Sequence, residues 1–229
     1  MLPPHHFDPL LGSAVDTWAT VAVAIGTIGA VGYALFRDLI VTPRRRPKLD
    51  LRFDATGNDQ VVVGTAGGFE AACVRLRVTN RGGRDTADDV VVMVSESRLL
   101  AGSEETTAEV TPIELPLTWS GSDPPLTVAS VHPGSERHVD LLHVDWPGRD
   151  ETDIAREWTD AVPLQLDLAP KPAGGQDVLR SGKYEIAVEV RARNADAIRY
   201  AIPVAWDGEW SGKAAIWDHL RVEPPREVR

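Results

Sequence analysis

A chain of 229 residues with 43% apolar and 25% charged side chains has the composition of a folded protein, which excludes global disorder. Its net charge of −10 excludes nucleic-acid binding by bulk electrostatics, because that needs a basic face. The single cysteine, Cys73, cannot form an internal disulfide, which suits a reducing compartment.

Residues 1–13 read as a short extracytoplasmic N-terminus. Its adjacent His5 and His6, with Asp8 nearby, have no further ligand fixed beside them, so they read as a solvated tail rather than a metal site. Residues 14–41 read as one transmembrane helix. From Thr17 to Phe36 there is no charged side chain, and twenty residues at about 1.5 Å each cover about 30 Å, the hydrocarbon thickness of a bilayer. Trp18 and Tyr33 lie near the two ends, where amphipathic rings suit the interfaces. A secretory signal peptide carries a positive start and a shorter apolar run; here no Lys or Arg precedes Arg37. Ala22, Gly26, Ala30 and Ala34 recur every fourth position, a spacing that lets two helix backbones approach closely. The stripe points to a protein partner or a second copy packed through the helix.

The segment 42–48 reads as a basic juxtamembrane linker, with Pro43 and Pro47 disfavouring helix. Arg37, Arg44, Arg45, Arg46 and Lys48 follow the span and no basic residue precedes it, so the N-terminus is predicted outside and the large domain in the cytoplasm. These five groups suit anionic headgroups, at about 1 kcal/mol each near the surface. Residues 49–229 hold 19 basic and 31 acidic side chains, a net of −12, which the same surface repels.

From Leu49 the apolar period drops to two. Leu49, Leu51 and Phe53 alternate with Asp50, Arg52 and Asp54, the pattern of a half-buried strand. Gln60–Gly64, Ala72–Thr79, Val90–Ser95, His138–Val144, Val162–Leu168, Tyr184–Arg191 and Ile198–Trp206 read as further strands. Turns are predicted at Asn80–Gly83, where Asn and Gly tolerate positive φ, and at Asn194–Ala197. Pro203 predicts an edge strand or a bulge. The proline-punctuated stretch of about 99–160 reads as an irregular insertion, with a short helix over Asp150–Thr159. Residues 223–229 read as a disordered tail. The fold class is mainly β: an immunoglobulin-like β-sandwich over 49–222, preceded by one transmembrane α-helix.

The stretch Val74–Ser95, with Val78, Asn80, Gly82 and Ala87 in place, resembles bacterial and archaeal immunoglobulin-like domains of the CARDB type. That resemblance covers about 22 of the 229 residues and implies a β-sandwich with an adhesive or assembly role.

Four groups invite a chemical reading. His132, His138, His143 and Asp145 cluster in sequence, but on an ideal strand His138 and His143 point to opposite faces, and a shared metal needs a bulge. Asp85, Asp88 and Asp89 crowd one turn without the Asp-x-Asp-x-Asp-Gly loop of a calcium site. Trp206, Trp210 and Trp217 offer a possible partner or ligand surface, or else plug the end of the sandwich. Cys73 reads as a small buried hydrophobe. Motifs for acyl transfer, nucleotide binding and zinc hydrolysis are absent, so no catalytic residue, cofactor or metal is predicted. The leading expectation is a membrane-anchored, non-catalytic scaffold for protein–protein interaction at the cytoplasmic face. The alternatives are a glycan- or ligand-binding module built on the tryptophans and, behind it, a metal-dependent enzyme.

Overall fold

The computed structural model describes residues 9–64, 70–81, 85–100, 109–122, 124–145, 162–172, 174–210 and 215–228. It is mainly β, with two antiparallel sheets preceded by one apolar helix. The expected helix over Asp150–Thr159 and the histidines at 5 and 6 lie outside the described residues.

Two units divide the chain after Arg45. In the first, α1 spans Pro9–Phe36 and continues through a π-helical turn, Arg37–Val41, into α2, Thr42–Arg45. The first half of the predicted linker is therefore helical, and the π turn supplies the reason. Within an α-helix the ring of Pro43 would clash with the carbonyl four residues back. Here the Thr42 N–H donates to the Arg37 carbonyl, five residues back, and the Thr42 hydroxyl donates to the same oxygen at 3.0 Å. Trp18–Val41 is long and apolar enough to cross a membrane, and none of it is buried.

The second unit holds fourteen described strands. In chain order they are β1 (Leu49–Arg52), β2 (Gln60–Gly64), β3 (Glu70–Asn80), β4 (Ala87–Leu99), β5 (Glu109–Pro116), β6 (Thr118–Trp119) and β7 (Ala129–Val131). Then come β8 (Glu136–Asp145), β9 (Leu164–Leu166), β10 (Val178–Leu179), β11 (Gly182–Ala192), β12 (Ala195–Trp206), β13 (Leu220–Val222) and β14 (Arg226–Val228), with α3 (Ile216–His219) before β13. The first sheet runs β1-β3-β8-β9-β10, with β2 also on β3 and β6 on β8. The second runs β13-β12-β11-β4-β5, with β14 on β12 and β7 on β4. β3 and β8 thus take the B and E places of an immunoglobulin-type sandwich, and β4, β11 and β12 the C, F and G places.

The two inner faces form one core. Val74, Leu76, Val78, Val139 and Leu142 from the first sheet and Val92, Val94, Ile186, Val188 and Ile202 from the second are fully or almost fully buried. The chain passes between the sheets several times, and two of these crossings are held by identifiable bonds. Between β3 and β4 the chain leaves one sheet for the other, and Asn80 holds that corner. It is 1% exposed, and its Nδ2 donates to the carbonyls of Asp85 (2.8 Å) and Val131 (3.0 Å). Between β5 and β6, Leu117 donates its N–H to Val92 of the second sheet, while Thr118 donates to Asp167 beside the first.

Several expectations are corrected. The stretch 99–160 supplies β5, β6, β7 and β8, and β8 lies in the middle of the first sheet, so it is framework rather than insertion. The tail 223–229 contributes β14, paired with Arg199–Ala201. Pro203 lies neither on a free edge nor at a β11–β12 bulge. It lies just past the end of the β12–β13 pairing, where its carbonyl accepts from the Glu223 N–H and, having no N–H, it returns no bond. The β11–β12 turn is tighter than predicted, with Ala192 and Ala195 already paired. Asn194 accepts from the Asp88 N–H and donates to the Thr86 carbonyl, tying that turn to the β3–β4 crossing.

Replacing Asn80 by Ala removes both carbonyl contacts from a dry corner. Urea unfolding of this variant is expected to show a loss of about 1–3 kcal/mol with an unchanged slope.

Candidate functional site

Three regions carry side chains beyond the needs of the core: the outer face of the first sheet, the acidic crossing loop and the tryptophan-rich end.

On the first sheet a bulge decides which groups meet. Leu141 and Leu142 of β8 are both buried, and the β3–β8 register shifts between Val74 and Arg75. The extra residue brings His138, Asp140, His143 and Asp145 to one outer face, as a shared histidine site would require. Five residues of strand still separate the two rings by about 13 Å or more, too far for one ion. Each instead has its own carboxylates. His138 Nε2 lies 3.2 Å from Asp59 Oδ1, at ion-pair distance though not aligned for a hydrogen bond. The Asp59 carboxylate is fully buried; its Oδ2 accepts from the Asp54 N–H at 2.7 Å and from Arg77 Nε at 3.0 Å. Arg75 Nε donates to Asp140 at 3.1 Å, and the Ser120 hydroxyl donates to the same oxygen.

His143 Nδ1 lies 2.8 Å from Asp167 Oδ1, and Nε2 lies 3.7 Å from Asp145. Burial opposes charge on the ring, but the two carboxylates outweigh it and raise its pKa to about 10. Cys73 is the direct cross-strand partner of His143. Burial, followed by the negative charges of Asp167 and Asp140, pushes its thiol up to about 12. At neutral pH the pair is therefore an imidazolium beside a neutral thiol. A nucleophilic cysteine needs the thiolate, so this arrangement ties β3, β8 and β9 together rather than activating sulfur. Among the described residues, no group of three His, Cys, Asp or Glu side chains is placed to hold a metal.

Two of the three crowded aspartates share one arginine. Arg193 reaches Asp88 at 3.2 Å and Asp89 at 3.3 Å, and Asp85 offers its carbonyl to Asn80. The outer face of the second sheet repeats the theme. Glu189, buried on β11, accepts from Arg191 Nε at 2.8 Å and Arg199 Nε at 3.3 Å, and Arg191 holds its carboxyl below the usual range.

At the tryptophan-rich end, the surface reading of Trp206 is corrected. Its ring is 2% exposed, and its Nε1–H donates to the Val162 carbonyl at 2.7 Å. Val162 in turn donates to the Gly208 carbonyl; Gly208 has φ +91°, a conformation suited to glycine. Trp210 and Trp217 are half-buried against the same core. These rings plug the sandwich, because a closing segment has apolar strand ends to cover. His219 Nδ1, 2.7 Å from Asp207, has a raised pKa for that reason.

On the apolar helix, Ala22, Gly26, Ala30 and Ala34 are all exposed, and a Cβ added at Gly26 meets nothing within 4 Å. Beyond the span, Arg37, Arg45, Arg46 and Lys48 are exposed. Arg46 reaches Asp196 at 3.7 Å, a separation at which an exposed pair contributes little. The strand pattern at Ala72–Thr79 and the histidine cluster are legible in the sequence, but the partners Asp59 of Arg77 and Asp167 of His143 are not. Asp59 sits in an unpatterned turn and Asp167 just past the three-residue β9, and neither carries a local signal of pairing.

No family model matches the chain, and no curated protein matches it. Among solved structures, the archaeal flagellum of Methanospirillum hungatei strain JF1 is similar over 90% of this chain and 98% of that one, at 13% identity and a TM-score of 0.34. Likeness at that level leaves the reading to this chain's own residues.

Two outcomes follow from the first-sheet cluster. A titration followed by NMR is expected to show His143 still protonated at pH 8 and losing its proton near pH 10. Its raised pKa means that its contribution to stability is complete below about pH 6.5 and disappears as pH rises through about 10, so the His143→Gln variant is expected to lose that part of the pH dependence. The Cys73 thiol is expected to resist alkylation at pH 8 in the folded protein and to react promptly in denaturant.

Proposed function

We propose that this protein is a membrane-anchored, non-catalytic assembly subunit, with α1 crossing the bilayer once and the β-sandwich presented to partners at the cytoplasmic face. The observation that carries the reading is the helix. Thr17–Phe36 carries no charged side chain on any side, and none of Trp18–Val41 is buried, whereas a core helix of a soluble protein is covered. Ile28, for example, is 73% exposed, an arrangement that lipid makes favourable and water does not. The sandwich supports the same reading by what its outer faces do. Their charged groups are paired with one another, as in Arg75–Asp140 and His143–Asp167, and hold strands in register.

Orientation rests on charge. Arg37, Arg44, Arg45, Arg46 and Lys48 follow the span, and no basic residue lies ahead of it. In this reading they rest on anionic headgroups while the acidic sandwich is kept off the surface. The stripe Ala22, Gly26, Ala30 and Ala34 gives the helix a face for a second helix, from a partner or another copy. The adhesive or assembly role implied by the CARDB-type resemblance of Val74–Ser95 belongs to the same reading. The tryptophan-based binding module is not favoured, since Trp206 lies in the core.

Single cysteines at positions 10 and 225, in a Cys73→Ser background, test both parts in intact cells with a membrane-impermeant thiol reagent. Labelling at position 10 alone is the expected result, with the full-length chain retained in the membrane after alkaline washing. Labelling at position 225 alone reverses the orientation. A shortened chain released into the soluble fraction makes the helix a cleaved signal and ends the proposal.

A further inference from the structure

We infer that the sandwich stands upright on an anionic membrane surface. Arg81 and Arg193 at the end where the chain enters join Arg46 and Lys48 on the headgroups, and the acidic connections turn away. The inference rests on the membrane-anchored reading above and adds to it a contact surface on the sandwich itself.

Strand direction assigns each connection to one end. β1 begins where β3 finishes, since Leu49 pairs with Asn80, and β8 begins at the same level, with Glu136 opposite Thr79. In the second sheet, β4 begins beside the end of β7, and β11 turns into β12 opposite the start of β4. Ser120 donates its N–H to the His138 carbonyl, two residues into β8. The entry end is therefore closed by residues 46–48, 81–86, 120–128, 132–135 and 193–194. Asp145 pairs with Ala71, Leu99 with Tyr184, and Gly182 with Trp206, so residues 65–69, 100–108, 146–163, 180–181 and 207–219 join strands at the far end.

Charge divides between these ends. The entry connections hold five basic side chains, Arg46, Lys48, Arg81, Arg84 and Arg193, against Asp85 and Asp123. The far connections hold four basic side chains and ten acidic ones. Asp88, Asp89 and Asp196 lie on strand ends beside the entry turns. Arg193 reaches the first two at 3.2 and 3.3 Å, and Arg46 reaches the third at 3.7 Å. These acids bring the entry end close to neutral, whereas the far end stays strongly negative. Arg81 and Lys48 are exposed, and the Arg81 N–H donates to the Lys48 carbonyl at 3.3 Å, so the chain entry and the crossing loop form one surface.

Tether length selects the membrane as the partner. Val41 ends the apolar span and Leu49 opens β1. The residues 42–48 between them reach about 25 Å at most when fully extended, and Thr42–Arg45 is helical, which shortens them. The entry end therefore stays close to the headgroups, whose negative potential falls off over a Debye length of about 8 Å at physiological ionic strength. Swinging the sandwich over brings the acidic connections toward that potential. Standing it upright brings guanidinium groups instead, whose planar fork suits phosphate oxygens. Repulsion between the acidic sandwich and the headgroups then falls on the far end and holds it outward.

The test uses full-length chains in phosphatidylcholine vesicles with and without phosphatidylglycerol, all with Cys73→Ser and an acceptor dye on the headgroups. A donor dye is attached through Ala197→Cys beside the entry turn or Ser181→Cys at the far end, both exposed positions. Energy transfer from position 197 is expected to rise when phosphatidylglycerol is included and to fall back at high salt, with little change from position 181. Arg81→Gln combined with Arg193→Gln is expected to lose most of that rise. The salt dependence is read without altering either arginine, so it decides the matter if the double variant fails to fold. Equal gains at both positions mean a sandwich lying flat, and a gain that survives the double substitution in a folded chain belongs to the basic run alone. Either result overturns the proposal, as does the lack of any gain at position 197. Flotation of the same vesicles reports insertion separately: a chain that does not float overturns the anchor itself, whereas a floating chain without the arginine-dependent gain overturns the upright contact alone.

Discussion

The architecture depends on one corner. β3 belongs to one sheet and β4 to the other, so the chain must turn through a dry region at Asn80, where backbone carbonyls on both sides need a donor. A single amide bridges the crossing by donating to carbonyls on both sides of it. With that corner held, the alternating apolar residues of β3 and β4 face each other across one core. Asn194 secures the neighbouring turn to the same loop, and Leu117 makes the second crossing between the sheets. The sandwich closes because its strands change sheets where a polar group or a backbone bond can follow them.

Charge is distributed to serve that framework. Histidines and aspartates close together in sequence invite a metal or a nucleophile, and the bulge at Leu141 and Leu142 does gather them on one face. Yet their spacing along the strand gives each ring separate carboxylates. His143 carries a stable positive charge, and Cys73 beside it remains a neutral thiol. The same logic buries Asp59 against Arg77 and Glu189 between Arg191 and Arg199. Each of these charges lies where removal of its partner would leave an uncompensated group in a low dielectric. Such pairing favours one register over its neighbours.

The helix and the sandwich treat their apolar residues differently. The apolar residues of the helix find no cover in the chain, while those of the strands are almost all enclosed. An uncovered apolar helix, a run of basic residues and an acidic domain, in that order, are what the proposed membrane tether rests on.

Much of this was legible in the sequence because it is local. Charge-free length reveals the helix, a period of two reveals β3, β8, β11 and β12, and clustered Arg and Lys reveal the basic run; each signal lies within a few residues of its cause. Tertiary structure alone decided which sheet each strand joins, since alternation says that a face is buried but not against what. It placed the bulge that reverses the parity of His143, found Asp59 and Asp167 as distant partners, put Trp206 inside, and gave the last residues a strand to pair with. Even the π turn belongs to this group, because Pro43 forbids ordinary helix locally and only the ladder of bonds before it shows how the chain complies. Pairing between segments far apart in the chain depends on shape and register, and neither is written in any one stretch of residues.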